Sequence, residues 1–580
     1  MPKHWRIATY DPRHVADLEK AAGIPAVVAQ LLLARGISCP DAAREFLDPK
    51  LSGLREPSEL PGATQAAQVI YRAIQDQVPI TIYGDYDADG MTATAILLRC
   101  LKLLQANVDF YVPHRIDEGY SLNAEALHKL ANQGTRLVVT VDCGVASVAE
   151  SRLAHQLGLQ LVITDHHQLA DQLPPATAVV HPALPDSDYP FEGLCGAAVA
   201  FKVAWAICQC ASDGKKVTER LRNFLLQAVG LAAIGTVADV VPLIDENRIL
   251  VRYGLGCLKS QPTVGIAALL RSTKLDKKPD LSCEDLGFTI GPRLNAAGRL
   301  GQAELAIELL TTESQERADK LALYMDELNL QRQSLERSIL LAARKQAKKF
   351  GQPHKTAALV LDHHDWHPGV IGIVAGRMAE QYCCPVAMIA NDSLGVNPGI
   401  GSARSVPGFN LHEALAECSD LLESHGGHAA AAGLRIKPEQ IEPFREAFCQ
   451  IATDQISQAD RTAELMVDAE ASLQMLTRQT VQQIESLAPF GHGNLRPVLC
   501  ASDVHLAGVP KRIGATGRHL SLMFDQHGVK MRAVAFGGAD WLEELVRIDG
   551  PLSIAFRPVL NSFRGRVSVE MHLEDWRAEQ

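Results

Sequence analysis

The chain has 580 residues, 47% of them apolar and 21% charged, with a formal net charge of −11. That length suits about four domains, and the composition, with mean hydropathy near zero, is that of an ordinary soluble globular protein. The negative balance excludes a globally basic nucleic-acid binder, so any polyanion site must be a local surface.

Thirteen cysteines occur with no Cys-x-x-Cys pair, which argues against structural zinc and against a disulfide framework. Met1-Pro-Lys-His-Trp-Arg6 lacks the apolar core of a signal peptide. A reduced, cytoplasmic setting without membrane association is expected.

Residues 1 to about 50 read as short helices and turns with no visible chemistry. From about 65, helical and strand patterns alternate. Ile80 to Tyr83 is an apolar strand that stops at Gly84, and three carboxylates follow at alternate positions, Asp85, Asp87 and Asp89. Gly90 and Met91 then open a helical run through Leu104. Like charges this close repel, and folding tolerates them when a cation neutralises them. Hard oxygen ligands suit Mg²⁺ or Mn²⁺ better than zinc; the competing reading is a solvated acidic loop. Arg136–Val141 is the next strand and ends at Asp142-Cys-Gly144. A helix over Ser147–Leu157 follows, then the strand Gln160–Thr164 ending at Asp165-His166-His167, and a short strand Ala176–Val180 before His181. This βαβ order predicts a parallel doubly wound sheet, whose ligands bind beyond the carboxyl ends of the strands. The acidic clusters sit at three such ends.

Cys195 to Ala211 is apolar but too short to span a bilayer, and it holds Lys202, so it reads as a buried helix. Asp239 is one charge in the apolar run Leu231–Pro242, placed at a buried helix end either as a cap or as a metal ligand. Glu313–Phe350 reads as one long helix, with Leu321, Met325, Leu328, Leu335, Ile339 and Ala342 at helical spacing. Its terminal Arg344, Lys345, Lys348 and Lys349 complement the helix dipole. A second α/β segment follows, with strands at Thr356–Leu361, Pro385–Ala390, Gly399–Arg404 and Leu434–Ile436. Gly426-Gly427 beside His428 permits either a tight turn or close backbone approach to a ligand.

From about 460 the pattern is β-rich and suits a small OB-like barrel. Residues 509–567 hold nine Lys/Arg against five Asp/Glu. Lys511, Arg512, Arg518, Lys530, Arg532, Arg564 and Arg566 interleave with Phe524, Phe536 and Phe563, which suits either a single-strand groove or a solvated basic face over core phenylalanines.

Asp85-Tyr-Asp-Ala-Asp-Gly90, Asp142-Cys-Gly144, Asp165-His-His167 and Ala238-Asp239 resemble the four N-terminal motifs of the DHH phosphoesterase superfamily. Gly291-Pro-Arg-Leu-Asn-Ala-Ala-Gly-Arg-Leu-Gly301, His367-Pro-Gly-Val-Ile-Gly-Ile-Val-Ala-Gly-Arg377, Ser402-Ala-Arg-Ser405 and Gly426-Gly-His-Ala-Ala-Ala-Ala-Gly433 resemble its RecJ branch of single-stranded-DNA exonucleases. The resemblance implies an N-terminal helical segment (1–60), a parallel-sheet DHH catalytic domain (61–260), a connector with the long helix (261–350), a second α/β, DHH-associated domain that grips substrate (351–455) and an OB-fold nucleic-acid-binding domain (456–580). It implies 5′→3′ hydrolysis of single-stranded DNA to 5′-mononucleotides with two Mg²⁺ or Mn²⁺ ions, in repair and recombination. Asp142 would bridge the ions, Asp87 would hold one, and Asp89, His166 and Asp239 the other. Asp85, either a ligand or an acceptor behind the ligands, would join Asp165 and His167 in the catalytic set. Arg115, Ser402 and Arg404 would hold the terminal 5′-phosphate. Arg293, Asn295 and Arg299 would line the channel between the domains, the competing reading being a loop tied down by salt bridges, with His367, Gly427 and His428 also contacting substrate. Implied partners are a single-strand-binding protein and a helicase, with the enzyme a monomer. Two alternatives are a DHH phosphodiesterase of short oligonucleotides or cyclic dinucleotides, which would lack the long helix and barrel, and an inactive DNA-bound scaffold, which would lose metal ligands.

Overall fold

A computed structural model describes residues 3–115, 118–119, 121–212, 216–350, 356–392, 395–456, 464–548, 550–563 and 565–579. It divides into two compact units that do not follow chain order: Arg55–Val241 with Tyr253–Arg461, and Met1–Leu54 with Pro242–Arg252 and Thr462–Gln580. Most of the N-terminal helical segment therefore groups with the C-terminal barrel. So does a short excursion, Pro242–Arg252, that the sequence reading assigned to the catalytic domain.

In the larger unit the first sheet has five parallel strands in the order Val108–Tyr111, Ile80–Tyr83, Leu137–Val141, Gln160–Thr164, Ala178–Val180. The three acid-bearing strands are adjacent, so their carboxyl ends lie side by side. Leu137–Val141 is buried at every position, as a parallel strand covered on both faces must be. The helices Ala88–Leu103, Gly196–Cys210 and Glu219–Ala238 pack together beside it. Glu219–Ala238 is long and apolar enough to cross a bilayer, but most of it is buried in the protein core. Lys202 lies fully buried, its ammonium donating to the Arg55 carbonyl and facing the Trp205 ring.

The helix Gln315–Ala347 runs 33 residues, roughly 50 Å at 1.5 Å per residue. Leu321, Met325 and Leu328 are buried along its first half, and Ile339 and Ala343 along its second. It leads into a five-stranded sheet ordered Ser424–Gly427, Ala431–Ile436, Gly399–Arg404, Val386–Ala390, Leu359–His363, in which only the last pair is parallel. Gly426-Gly427 thus sits in an edge strand. Gly427 has φ of +136°, and a side chain there would strike the Ala431 carbonyl.

In the smaller unit, Leu499–Leu506, His519–Gln526, Val529–Ala535, Leu552–Phe563 and Arg566–Ala578 close a barrel. The first strand pairs with the second and fourth, the third pairs parallel with the fifth, and the fifth pairs with the fourth. This is the five-stranded Greek-key closure of an OB-fold. Val28, Leu31 and Leu32 from the N-terminal helices share one buried cluster with Leu499, Leu520, Phe524 and Phe556. The strand His4–Ile7 pairs parallel with Glu464–Val467.

The excursion is held by Arg248, whose side chain is buried. Its guanidinium donates to the carbonyls of Phe46, Leu487 and Ala488 at 2.8–3.0 Å and lies 3.7 Å over the Phe46 ring. Removing it strands buried carbonyls. Arg248→Ala is expected to destabilise the smaller unit by about 3 kcal/mol or more, read as an early transition in chemical denaturation, whereas Arg547→Ala, at an exposed position, should shift that transition little.

Candidate active site

Each acid of the first cluster has a separate support. Asp87 caps the helix Ala88–Leu103, its Oδ1 accepting from the Asp89 and Gly90 amides at 2.9 and 3.0 Å. The helix therefore starts two residues before the predicted Gly90, and Asp89 lies in its first turn. Asp89 points away from solvent and accepts from the amides of Gly196 (2.6 Å) and Ala197 (2.9 Å) at the start of the next buried helix, where the helix dipole favours an anion. Asp142 follows its strand in the left-handed region, φ +63°. Asp239 caps the C-terminus of Glu219–Ala238, an end at which the dipole disfavours a carboxylate.

The histidine pair divides its work. Asp165 accepts through Oδ2 from Val145 N, and through Oδ1 from the backbone amides of His166 and His167. Its Oδ1 also lies 2.8 Å from His167 Nδ1. Burial alone would raise the Asp165 pKa, but the hydrogen bond and charge of His167 bring it down to about 2. Burial likewise opposes the charge on His167, yet Asp165 raises that imidazole to about 9. Burial drives His166 down to about 3, so its ring is neutral. His181, also buried, turns Nε2 onto the His167 carbonyl at 2.8 Å and fixes the loop.

The carboxylates titrate in the opposite sense. Burial first, and then neighbouring carboxylates, push Asp85 and Asp142 well above the usual range, Asp89 to about 6 and Asp239 to about 8. Asp85 Oδ1 and His166 Nε2 are buried with no protein hydrogen-bond partner. His166 Nε2 lies 3.1 Å from Asp142 Oδ1, 3.7 Å from Asp239 Oδ2 and 3.8 Å from Asp89 Oδ2. Donor atoms of Asp85, Asp87 and Asp142 come within 4.8 Å of one another, as do those of Asp89, His166 and Asp239, and those of Asp142, His166 and His167. Carboxylates that repel one another, with Asp85 Oδ1 and the neutral His166 Nε2 buried among them without a protein hydrogen-bond partner, fit hard divalent cations.

Three glycines make room for this crowding. A Cβ on Gly90 would press on Asp85 (2.6 Å to its Cβ), on Gly196 would meet Asp142 Oδ1 at 2.3 Å, and on Gly235 would meet Asp89 Oδ1 at 2.3 Å. Gly196, Gly235 and His181 were not singled out from sequence; the available signal was a glycine inside each of two apolar helical runs, where it costs about 1 kcal/mol relative to alanine and implies a packing reason.

Beside the acids lies a cavity of about 360 Å³ that gathers Arg115, Ser402, Arg404 and Gly427, four of the expected substrate contacts, with Tyr86 and Arg435. Arg115 lies 4.7 Å over the ring of Tyr86, itself part of the acidic loop. Arg404 donates to Ser402 Oγ at 3.1 Å. The other expected contacts lie outside its lining. Arg293, Asn295 and Arg299 stand on a helix, Gly291–Arg299. Arg293 pairs with Asp326 at 2.6 Å and donates to the Thr289 carbonyl, so it braces the long helix. Asn295 accepts from Ala88 N and steadies the acidic loop from behind. Arg299 donates to the Gly369 carbonyl, and burial followed by Arg115 and Arg404 lowers its pKa to about 9. His367 caps the helix Pro368–Tyr382 through Nδ1, and His428 is exposed at a turn.

On the barrel, Lys511, Arg512, Arg518, Lys530, Arg532 and Arg566 are exposed, and Arg532 pairs with Glu570. Phe524 is a core residue and offers no surface for stacking. Phe536 is 60% exposed and is met edge-on by His519 and His572 at 5.4 and 4.9 Å. Arg564 and the Phe563 side chain lie outside the described residues.

Comparison with known families and structures agrees with this architecture. Residues 79–236 match the DHH family N-terminal domain, 355–454 the DHHA1 domain and 467–575 the RecJ OB domain. The chain is 35% identical over 573 residues to the single-stranded-DNA-specific exonuclease RecJ of Bacillus subtilis (strain 168), covering 98% of this chain and 70% of that one. It is 32% identical over 575 residues to that of Escherichia coli (strain K12), covering 97% of each. Among solved structures, RecJ in complex with Mn²⁺ from Thermus thermophilus superposes with a TM-score of 0.83 at 31% identity, covering all of this chain and 80% of that one. RecJ bound to manganese gives 0.60 at 35% identity, covering 70% of this chain and all of that one. With three family matches in order and identity above 30% along almost the whole length, the chain belongs to the RecJ family of single-stranded-DNA-specific exonucleases.

Proposed function

We propose that the chain hydrolyses single-stranded DNA from its 5′ end to 5′-mononucleotides. The observation that carries this is the placing of two cation-suited groups, which meet around Asp142 and His166, beside an arginine-lined cavity, with Tyr86 common to the acidic loop and the cavity wall.

Two Mg²⁺ or Mn²⁺ ions, when bound, supply activation of water and charge relief on the scissile phosphate. Asp142 would be the shared ligand, with Asp87 on one flank and Asp89, His166 and Asp239 on the other, and Asp85 would stand beside Asp87 as a ligand or as an acceptor behind it. Asp165 orients the His167 ring through Nδ1 and keeps it protonated. Nε2 of that imidazolium then donates to a phosphoryl oxygen or to the departing 3′-oxygen. Arg115, Arg404 and Ser402 seat the terminal phosphate, since guanidinium forks match phosphate oxygens. Seating that end places the first internucleotide bond at the acids and sets the 5′→3′ direction.

On the barrel, the faces of strands two and three and the loop between strands one and two bind oligonucleotides in OB-folds. Phe536 directly follows strand three with its ring against His519 of strand two, and the exposed Lys511 and Arg512 lie on a short strand paired with strand two, so Phe536 is the stacking platform. Thirteen free thiols accord with a reduced cytoplasm. Repair and recombination, a monomeric state, and partnership with a single-strand-binding protein and a helicase rest on family membership alone.

Asp142→Asn should lower kcat by more than about 100-fold, beyond the loss that follows removal of an outer partner, while single-strand binding stays within a few-fold. A variant that still digests an end-labelled strand would remove the shared-ligand role. In chelator-treated protein, Asp89 and Asp239 hold protons that the unfolded chain has released. The native state therefore binds more protons, and stability should fall as pH rises from the ordinary carboxylate range through about 8. Saturating Mn²⁺ should flatten that slope and add about 2.7 kcal/mol at a hundred times Kd, measured by thermal melts across pH. Phe536→Ala should weaken binding of a single strand by about 1–3 kcal/mol, read by anisotropy of a labelled oligonucleotide.

A further inference from the structure

The cavity offers more than one terminal phosphate requires. Its 360 Å³ equals roughly a dozen water volumes at about 30 Å³ each. Arg115, Arg404 and Arg435 line it with no carboxylate among the lining residues. The strands Gly399–Arg404 and Ala431–Ile436 set Arg404 opposite Ala431, Ser402 opposite Gly433 and Ile400 opposite Arg435. These three pairs share the cavity face, because alternate residues of a strand do. Rows on one face are about 7 Å apart, so Arg404 and Arg435 rise from rows about 14 Å apart.

The floor between them is low. Gly433 has an ordinary backbone, and a Cβ there would find only the Gly401 carbonyl at 3.9 Å, so packing does not demand glycine. Arg404 and Ser402 are joined by their hydrogen bond and act with Arg115 as one subsite. Arg435 stands at the far end, exposed, and forms no ion pair among the described residues.

We propose, building on the 5′-end pocket above, that Arg435 forms a second anion subsite through which the enzyme accepts strands that begin in a 5′-diphosphate or 5′-triphosphate. Ends of this chemistry come from polymerisation that starts directly on a nucleoside triphosphate. In the first turnover water attacks the phosphorus of the first internucleotide diester and the bond from that phosphorus to the 3′-oxygen breaks. The released nucleotide takes a proton on its 3′-oxygen and keeps its triphosphate. The shortened strand keeps the water oxygen as part of a new 5′-monophosphate.

The test uses the full chain with Mn²⁺ and four single strands of one sequence, ending in 5′-hydroxyl, mono-, di- or triphosphate, with first products resolved by anion exchange. The triphosphate strand is expected to release a nucleoside triphosphate, with kcat/KM within about threefold of the monophosphate strand. Arg435→Gln is expected to lower the ratio of kcat/KM for triphosphate over monophosphate about tenfold, a loss of about 1.4 kcal/mol, and Arg435→Lys to restore part of it. Refusal of the triphosphate strand by the wild type, or an unchanged ratio in Arg435→Gln, overturns the second subsite. Equal digestion of hydroxyl and monophosphate strands would instead remove the 5′-end pocket itself.

Discussion

Asp85, Asp89 and Asp142 lie almost wholly out of solvent, within electrostatic reach of Asp87 and Asp239. Burial and mutual repulsion both oppose their ionisation. A protein can hold such a group by protonating it or by gathering cations, and much of the larger unit is arranged for the second. The parallel sheet aligns three strand ends. Two helix starts turn their amides on the acids, Ala88–Leu103 on Asp87 and Gly196–Cys210 on Asp89. Gly90, Gly196 and Gly235 keep side chains out of the space the carboxylates occupy.

The same strain explains why the two histidines differ. They are adjacent in sequence and their ring centres are 4.4 Å apart, yet one is driven neutral and the other is held charged. Asp165 causes the difference by spending one oxygen on the backbone of Val145 and the other on the His167 side. A neutral imidazole suits a cation ligand, and a charged one suits a phosphate. Asp165, which belongs to none of the candidate cation groups among the described residues, thereby sorts its neighbours into two trades.

Most of the acidic centre was legible because Asp85, Asp142 and Asp165 stand at the ends of apolar strands that the core requires, whereas Asp239 ends a helix. Ile80–Tyr83, Gln160–Thr164 and Gly399–Arg404 begin and end where their side chains say they should. Val108–Tyr111 and Ser424–Gly427 were not legible because they are sheet edges; Val-Asp-Phe-Tyr and Ser-His-Gly-Gly carry no apolar run. Arg293 has the motif of a substrate contact, but its partner, Asp326, comes from a helix 33 residues on. Asn295, in the same motif, braces the acidic loop, and His367, in another, caps a helix. Arg435 reads as an ordinary surface arginine until the strand register sets it in the cavity wall. Charge spacing shows which residues carry chemistry; only packing shows which of them share a wall.

The pairing of His4–Ile7 with Glu464–Val467 bears on how the chain is made. At roughly 5–20 residues per second, on the order of half a minute to a minute and a half passes between the two strands leaving the ribosome. Throughout that interval Val28, Leu31 and Leu32, buried side chains of the finished barrel, have no core to enter. Such long-separated contacts are slow to form and leave apolar helices open to association. These helices, translated long before the barrel, are thus housed late, and this segment is where a holding chaperone would find its purchase during synthesis.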